Sequence, residues 1–136
     1  MRIVVGYGAG RLLWEAIRNA RRRIVAVVPY IHGTVIDALC TLAARGVEVK
    51  IVTDTNTDPQ TIDALKRCGI VVGYIPDLHA KIYIVDDTIY LGSINLTDSG
   101  LHHNFELLIA LHPEDQNHRE LEEIVEKILE IAARET

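Results

Sequence analysis

The 136-residue sequence has no long apolar run, few prolines and few aromatic side chains. No apolar run reaches the ~18 residues that a membrane-spanning helix needs. The first residues, MRIVVGYGAG, lack the apolar stretch and the cleavage site of a signal peptide, so the sequence predicts a cytoplasmic protein. With 49% hydrophobic and 24% charged residues and no biased tract, the chain is typical of a folded protein. Its length predicts one domain over residues 1–136.

The chain also has few cysteines and no excess of positive charge. The two cysteines, Cys40 and Cys68, are far apart and form no Cys-x-x-Cys unit, which favours two reduced thiols over a disulfide or a metal site. The net charge of -5 argues mildly against a protein that coats nucleic acid without specificity, although it does not exclude a small basic cleft. The arginines at positions 21–23 favour nucleic acid only if they border such a cleft, and a solvated face is the commoner explanation of a charged run.

The chain does contain a regular alternation of apolar runs and helical patterns. Residues 3–5, IVAVVPYI, VEVKIVT and IVVGYI are strand candidates, and helical patterns separate them. One helix is expected from about Thr34 to Arg45, and another has Asp58 as its N-cap, Pro59 at its first position and Gly69 at its end. This alternation predicts an α/β fold with a mixed, largely parallel sheet and helices on both faces.

The pattern changes after Pro76. The segment AKIYIVDDTIYLG has two short β-rich runs joined by Asp86 and Asp87, which is typical of a hairpin, and NFELLIALH predicts a further strand. The last helix carries one apolar stripe that is predicted to pack on the sheet, formed by Leu121, Ile124, Val125, Ile128, Leu129 and Ala132.

The glycine-rich segment GYGAG, between a strand and a helix, invites a dinucleotide-binding interpretation. Arg11 stands where the third glycine of that fingerprint is needed, and Pro29 and Tyr30 stand where an acidic residue is expected. A glycine-rich turn into a helix, able at most to bind an anion through its amides, is therefore favoured.

The segment HHNFE brings His102, His103 and Glu106 together and invites a zinc interpretation. Neighbouring residues of an extended chain point to opposite faces, and no other ligand spacing supports a metal, so we expect none. The remaining histidines, His32, His112 and His118, are more typical of surface or polar contacts than of catalysis.

His79 and Lys81 begin an apolar run, LHAKIYIV, that is predicted to be a strand. Residues two apart on a strand share a face, so both side chains are expected to contact one phosphate. Lys81 would neutralise the non-bridging oxygens, and the imidazole of His79 would attack phosphorus or transfer a proton. The same alternation places Asp86 on the other face, where a structural role in the hairpin is expected.

The segment GSIN follows the hairpin. Gly92 is expected to allow a sharp turn, after which Ser93 and Asn95 offer a hydroxyl and an amide to an oxyanion. Glu106, on the next strand, is a candidate to bind the far imidazole nitrogen of His79 and fix its tautomer. Each feature alone has a commoner explanation as a strand end, a surface charge or an ordinary turn.

Taken together these residues resemble the HKD motif of the phospholipase D superfamily, and the chain is most similar to its small single-motif nucleases. The segments RGVEVKIVTD and HAKIYIVDD extend the resemblance over nearly the whole chain. The motif would consist of His79, Lys81, Asp86, Gly92, Ser93, Asn95 and Glu106. One departure is that five residues separate Asp86 from Gly92 where the family usually has six, and the shortening falls in the hairpin turn.

The resemblance implies a metal-independent phosphodiesterase that needs no cofactor. One histidine would form a phosphohistidine and a second would protonate the leaving oxygen and then activate water. His79 is implied as nucleophile or acid, Lys81 and Asn95 as phosphate ligands with help from Ser93, and Glu106 as the group that orients His79.

A single motif supplies only one histidine. Small family members dimerise, so the second histidine is implied to be His79 of another subunit, across a two-fold axis at the active-site face.

The sequence leaves three functions open. The first is an endonuclease that hydrolyses DNA or RNA. The second is a phosphodiesterase acting on a phospholipid or small molecule, which is less favoured because the chain has one Trp14, one Phe105 and no interfacial aromatic patch. The third is a non-catalytic nucleic-acid-binding module of the same fold, against which the intact motif argues.

Overall fold

A computed structural model describes residues 1–135 of the chain. These residues form seven strands and five helices. In chain order they are β1 (Arg2–Gly6), α1 (Ala9–Arg18), β2 (Arg23–Val27), α2 (Val35–Ala44), β3 (Glu48–Asp54), α3 (Pro59–Arg67), β4 (Val71–Ile75), β5 (Ile82–Val85), β6 (Thr88–Gly92), α4 (Asp98–His102), β7 (Glu106–Leu111) and α5 (His118–Glu135).

All seven strands form one sheet in the order β1-β7-β6-β5-β2-β3-β4. The pairs β2–β3 and β3–β4 are parallel because α2 and α3 are crossover helices. The other neighbouring pairs are antiparallel, since β5 and β6 form the predicted hairpin and β7 returns beside β6. The mixed α/β class is thus confirmed, but within residues 1–135 only two of the six neighbouring strand pairs are parallel, so the sheet is not largely parallel as the sequence predicted. Strands β1, β2, β3, β4 and β6 all point the same way, and we call the end where they finish the carboxyl end of the sheet.

Helices cover both faces, as predicted. On one face α1, α2 and α3 bury Leu13, Leu39 and Leu65, each fully, against the sheet. Full burial of one such side chain stabilises the fold by about 1.5–3 kcal/mol. On the other face α5 buries Val125 and Ala132 and packs on β3, β4 and β6.

Part of the α5 face of the sheet remains open to solvent. On β1, Ile3 and Val5 are 57% and 60% exposed. They pair with Ile109 and Leu107 of β7, so all four side chains lie on this face. Ile124 of α5 borders them and is 42% exposed. We call these five residues the open apolar face.

Cys40 of α2 and Cys68, directly after α3, form a disulfide, so the prediction of two reduced thiols is wrong. The sequence pattern does not show that α2 and α3 lie side by side, which brings the two Cα atoms to 5.3 Å. Disulfides are typical of oxidising compartments and of intracellular hyperthermophile proteins. The bond therefore weighs against a cytoplasm of the usual reducing kind, and the location stays a prediction.

Removal of this disulfide is expected to destabilise the fold. The bond closes a loop over a sequence separation of 28 residues, and the entropy of such a loop corresponds to about 3–4 kcal/mol. Guanidinium unfolding with and without dithiothreitol measures the difference. The double variant Cys40→Ala/Cys68→Ala is the control, because dithiothreitol should not change its midpoint; an equally insensitive wild type would contradict the expectation.

Within residues 1–135, no helix combines the length and the apolar character that crossing a membrane requires.

Candidate active site

All motif residues except Asp86 lie at the carboxyl end of the sheet. Strand β5 runs antiparallel to β2 and starts with Ile82 opposite Val27, so the residues before it lie where β2 ends. Strand β6 finishes there at Gly92, whose N–H donates to the carbonyl of Lys81 at 3.4 Å. Strand β7 starts there with Glu106. The fold thus brings three separate segments of the sequence motif to one place.

His79 and Lys81 precede β5, so the expectation that both lie on a strand is wrong. Strand β5 begins only at Ile82, after the turn at Pro76 and Asp77 through which the chain leaves β4. The ammonium of Lys81 donates to the carbonyl oxygen of His79 at 3.1 Å, which ties the two residues together. Among residues 1–135 the imidazole of His79 has no hydrogen-bond partner, and the residue is exposed. It is therefore free to meet a substrate.

Glu106 is held by two side chains other than His79. The hydroxyl of Ser93 donates to one carboxylate oxygen at 2.6 Å, and the amide of Asn104 donates to the other at 3.3 Å. The predicted bond from Glu106 to His79 is not formed within residues 1–135. The sequence did not point to Asn104, whose only signal was its position two residues before a candidate carboxylate.

Ser93 is fixed by the backbone of β7. Its N–H donates to the carbonyl of Leu107 at 3.1 Å, and its hydroxyl accepts the Leu107 N–H at 2.9 Å. This close approach explains Gly92, where a Cβ atom would lie 2.1 Å from the Leu107 carbonyl oxygen. Gly92 therefore allows β7 to approach β6 closely, in addition to allowing the turn that the sequence predicted.

A buried tyrosine holds the GSIN segment in place through a hydrogen bond. The hydroxyl of Tyr83 donates to the carbonyl of Ile94, between Ser93 and Asn95. Burial, and then the negative charge of Glu106, raise the pKa of Tyr83 well above its usual value, so it remains a donor. Sequence reasoning missed this residue, although a tyrosine in a strand of buried residues needs a partner for its hydroxyl.

Asn95 carries a buried acceptor that is unpaired. Its side-chain oxygen is buried and finds no hydrogen-bond partner in the described part of the chain. The backbone of Asn95 is packed against α4, where a Cβ atom on Gly100 would lie 2.4 Å from the Asn95 carbonyl oxygen. Unpaired buried polar atoms are rare in native proteins and often mark a site that takes a ligand or a water.

Asp86 lies at the opposite end of the sheet, in the hairpin turn. Its carboxylate accepts backbone N–H groups of Arg21, Arg22 and Arg23 at 2.8 to 3.3 Å. Partial burial raises the pKa of Asp86, but the hydrogen bonds from these three N–H groups, together with the charge of Arg22, outweigh it and hold the pKa below its usual value. The arginines therefore do not border the His79 segment, since β5 separates the two ends.

A groove connects the motif to the open apolar face. Its volume is about 570 Å³. Lys81 and Ser93 line one end, and Leu107, Ile109 and Ile124 line the other. The phosphate-binding candidates thus open directly onto an uncovered apolar surface.

A mixed α/β sheet with histidine, lysine, serine and asparagine at its carboxyl end defines a phosphodiesterase fold of the phospholipase D type. A family model described as cardiolipin synthase, PLD-like domain, matches residues 13–129. The chain belongs to this phospholipase D-like family.

Individual proteins show the same relationship. Cardiolipin synthase A of Serratia proteamaculans is 30% identical over 112 residues, which cover 73% of this chain and 23% of that protein. The chain thus spans about a quarter of the length of this curated relative. The structure of Nuc from Salmonella typhimurium, a phospholipase D family member, has a TM-score of 0.74 and 26% identity, and covers 93% of this chain and 92% of that one. NucT from Helicobacter pylori has a TM-score of 0.79 at 22% identity, with 95% and 94% covered, and supports the fold.

Proposed function

We propose that the protein is a metal-independent phosphodiesterase, and that it is an endonuclease acting on DNA or RNA. The observation that carries this proposal is the convergence of His79, Lys81, Ser93 and Asn95 at the carboxyl end of the sheet, with the imidazole exposed. We take residues 1–136 as one phospholipase D-like domain that acts without a cofactor.

The chemistry proposed for this site has two steps. An imidazole nitrogen of His79 attacks phosphorus, a P–N bond forms, the bond to the leaving oxygen breaks, and a second histidine gives that oxygen its proton. The second histidine then takes a proton from water, the water oxygen attacks phosphorus, and the P–N bond breaks. Lys81 and the amide of Asn95 bind the non-bridging oxygens, whose charge must be offset in both transition states.

The second histidine is proposed to be His79 of an identical subunit. The groove that joins Lys81 and Ser93 to the open apolar face supports this, because burial of that face in a symmetric dimer would bring two copies of the motif together. Two identical histidines in one site would then divide the roles, one proton-poor and one proton-rich.

Nucleic acid is the favoured substrate because the chain resembles small single-motif nucleases and matches Nuc over nearly the full length of both proteins. A phospholipid is the second candidate, favoured by the identity with cardiolipin synthase A. A non-catalytic module that binds nucleic acid is the third, against which the exposed His79 argues.

The test is a parallel offer of plasmid DNA, single-stranded oligonucleotide, RNA and phospholipid vesicles to the purified protein in excess EDTA. We expect cleavage of one or more nucleic acids, with internal cuts, and no release of headgroups from the vesicles. An identically purified His79→Ala protein corrects for contaminating nucleases. Headgroup release without nucleic-acid cleavage would replace the nuclease by the lipid enzyme, and inactivity on all four would leave the binding module.

A further inference from the structure

A second cavity lies beside the motif at the carboxyl ends of β2 and β3. Its volume is about 650 Å³. Its walls include Tyr30 and His32 after β2, Asp54 and Asn56 at the end of β3, and Thr97 after the GSIN segment. None of these side chains has a role in the chemistry described above.

Backbone hydrogen bonds tie both walls of this cavity to the motif. The N–H of Leu96, next to Asn95, donates to the carbonyl of Tyr30 at 3.1 Å, and the N–H of His32 donates back to Leu96 at 2.9 Å. On the other wall Asp54 accepts the N–H of Asp77, two residues before His79, at 2.8 Å. The cavity therefore adjoins both halves of the phosphate site.

The walls suit a flat, neutral group better than a second phosphate. The ring of Tyr30 is mostly uncovered, since the residue is 64% exposed, and it offers a face for stacking. Asp54 and Asp58 put two carboxylates in the lining, and these would repel a phosphate. Asn56 adds a side-chain amide, which makes no hydrogen bond within the described residues. Carboxylates and amides bind the amino groups on base edges, and aromatic rings stack on bases.

We propose that this cavity is the subsite for a nucleobase of the nucleotide next to the bond that is cleaved, with the base stacked on Tyr30. The inference rests on the proposed nuclease function and deepens it. A base in a duplex is stacked on its neighbours and its Watson–Crick edge is occupied, so the subsite takes an unpaired base. It follows that single strands bind better than duplexes.

The test measures binding of a fluorescent single-stranded oligonucleotide by anisotropy, in a His79→Ala background so that no cleavage occurs. We expect Tyr30→Ala to weaken binding about ten-fold, because stacking of one base on an aromatic ring contributes roughly that much or more. Tyr30→Phe is the matched control: it keeps the ring and loses only the hydroxyl, so its affinity should stay within about two-fold. A duplex of the same sequence should bind more weakly and should not respond to Tyr30→Ala.

Equal affinity of all three proteins, or a Tyr30→Phe variant as weak as Tyr30→Ala, would overturn the subsite. So would the absence of measurable binding to single strands. Hydrolysis of bis(p-nitrophenyl) phosphate by the protein with His79 intact is measured alongside, because it needs no nucleobase. Hydrolysis of this ester without oligonucleotide binding would rule out the subsite and leave the phosphodiesterase function in place. If the protein neither hydrolysed the ester nor bound the oligonucleotide, both proposals would be ruled out.

Discussion

The variant His79→Ala is expected to lose hydrolysis of bis(p-nitrophenyl) phosphate in excess EDTA by about four orders of magnitude or more. Losses of this size follow the removal of a nucleophile in other hydrolases. The structure leaves His79 exposed, and its imidazole makes no hydrogen bond to any of residues 1–135, so the substitution removes no contact that the fold needs. The expected effect is therefore on rate, with the unfolding midpoint unchanged.

His112→Ala is the matched control for this experiment. His112 follows β7 at the end opposite Glu106, where its ring contacts the hydroxyl of Thr88 at 3.3 Å. It should keep full activity with a small loss of stability. Equal hydrolysis by the His79→Ala protein and the wild type would end the catalytic assignment. Loss of activity in both variants would also contradict it, because the loss would then come from disturbing the fold and not from removing the nucleophile.

The sequence predicted those elements whose signals are local. Asp58 was expected to cap α3, and its carboxylate accepts the N–H of Gln60 at 3.1 Å. Asp86 and Asp87 were expected to turn a hairpin, and they join β5 to β6. The short helix α4 was not predicted, because five residues are too few for a periodic apolar pattern. The disulfide was missed for a different reason, since it depends on how two helices pack.

For the candidate site, the sequence supplied the residue types but not their partners. Ser93 and Glu106 were both named, yet their mutual hydrogen bond depends on how closely β6 approaches β7 at Gly92. The arginines at positions 21–23 were considered beside a cleft, whereas the register of β2 on β5 places them at the other end of the sheet. Such relations are set by strand order and register, which apolar alternation does not determine.

Disruption of the proposed dimer is expected to abolish activity without unfolding the protein. Val5→Glu and Ile124→Glu each place a carboxylate on the open apolar face, at positions that are not themselves motif residues. In a symmetric interface the same charge enters from both subunits, so the two copies repel each other and lose apolar contact. We expect monomers by light scattering, and hydrolysis of bis(p-nitrophenyl) phosphate reduced about a thousand-fold or more because each monomer holds only one copy of His79.

Val71→Glu is the matched control. Val71 is 61% exposed on β4, at the far edge of the same sheet, so the change adds the same charge at a similar exposure. It should leave both the dimer and the activity intact. A fully active monomer of either interface variant would refute the shared site.

A mixed dimer separates a shared site from two independent ones. Wild-type and His79→Ala subunits with different tags are co-expressed, and the heterodimer is isolated through both tags. If one site needs His79 from each subunit, every heterodimer lacks either the nucleophile or the proton donor, and we expect almost no hydrolysis. Two independent sites would instead leave about half of the wild-type rate, since one subunit of each pair would be complete. A rate near one half, with the heterodimer stable to exchange, would therefore require the second proton-transfer group to come from the same subunit as the nucleophile.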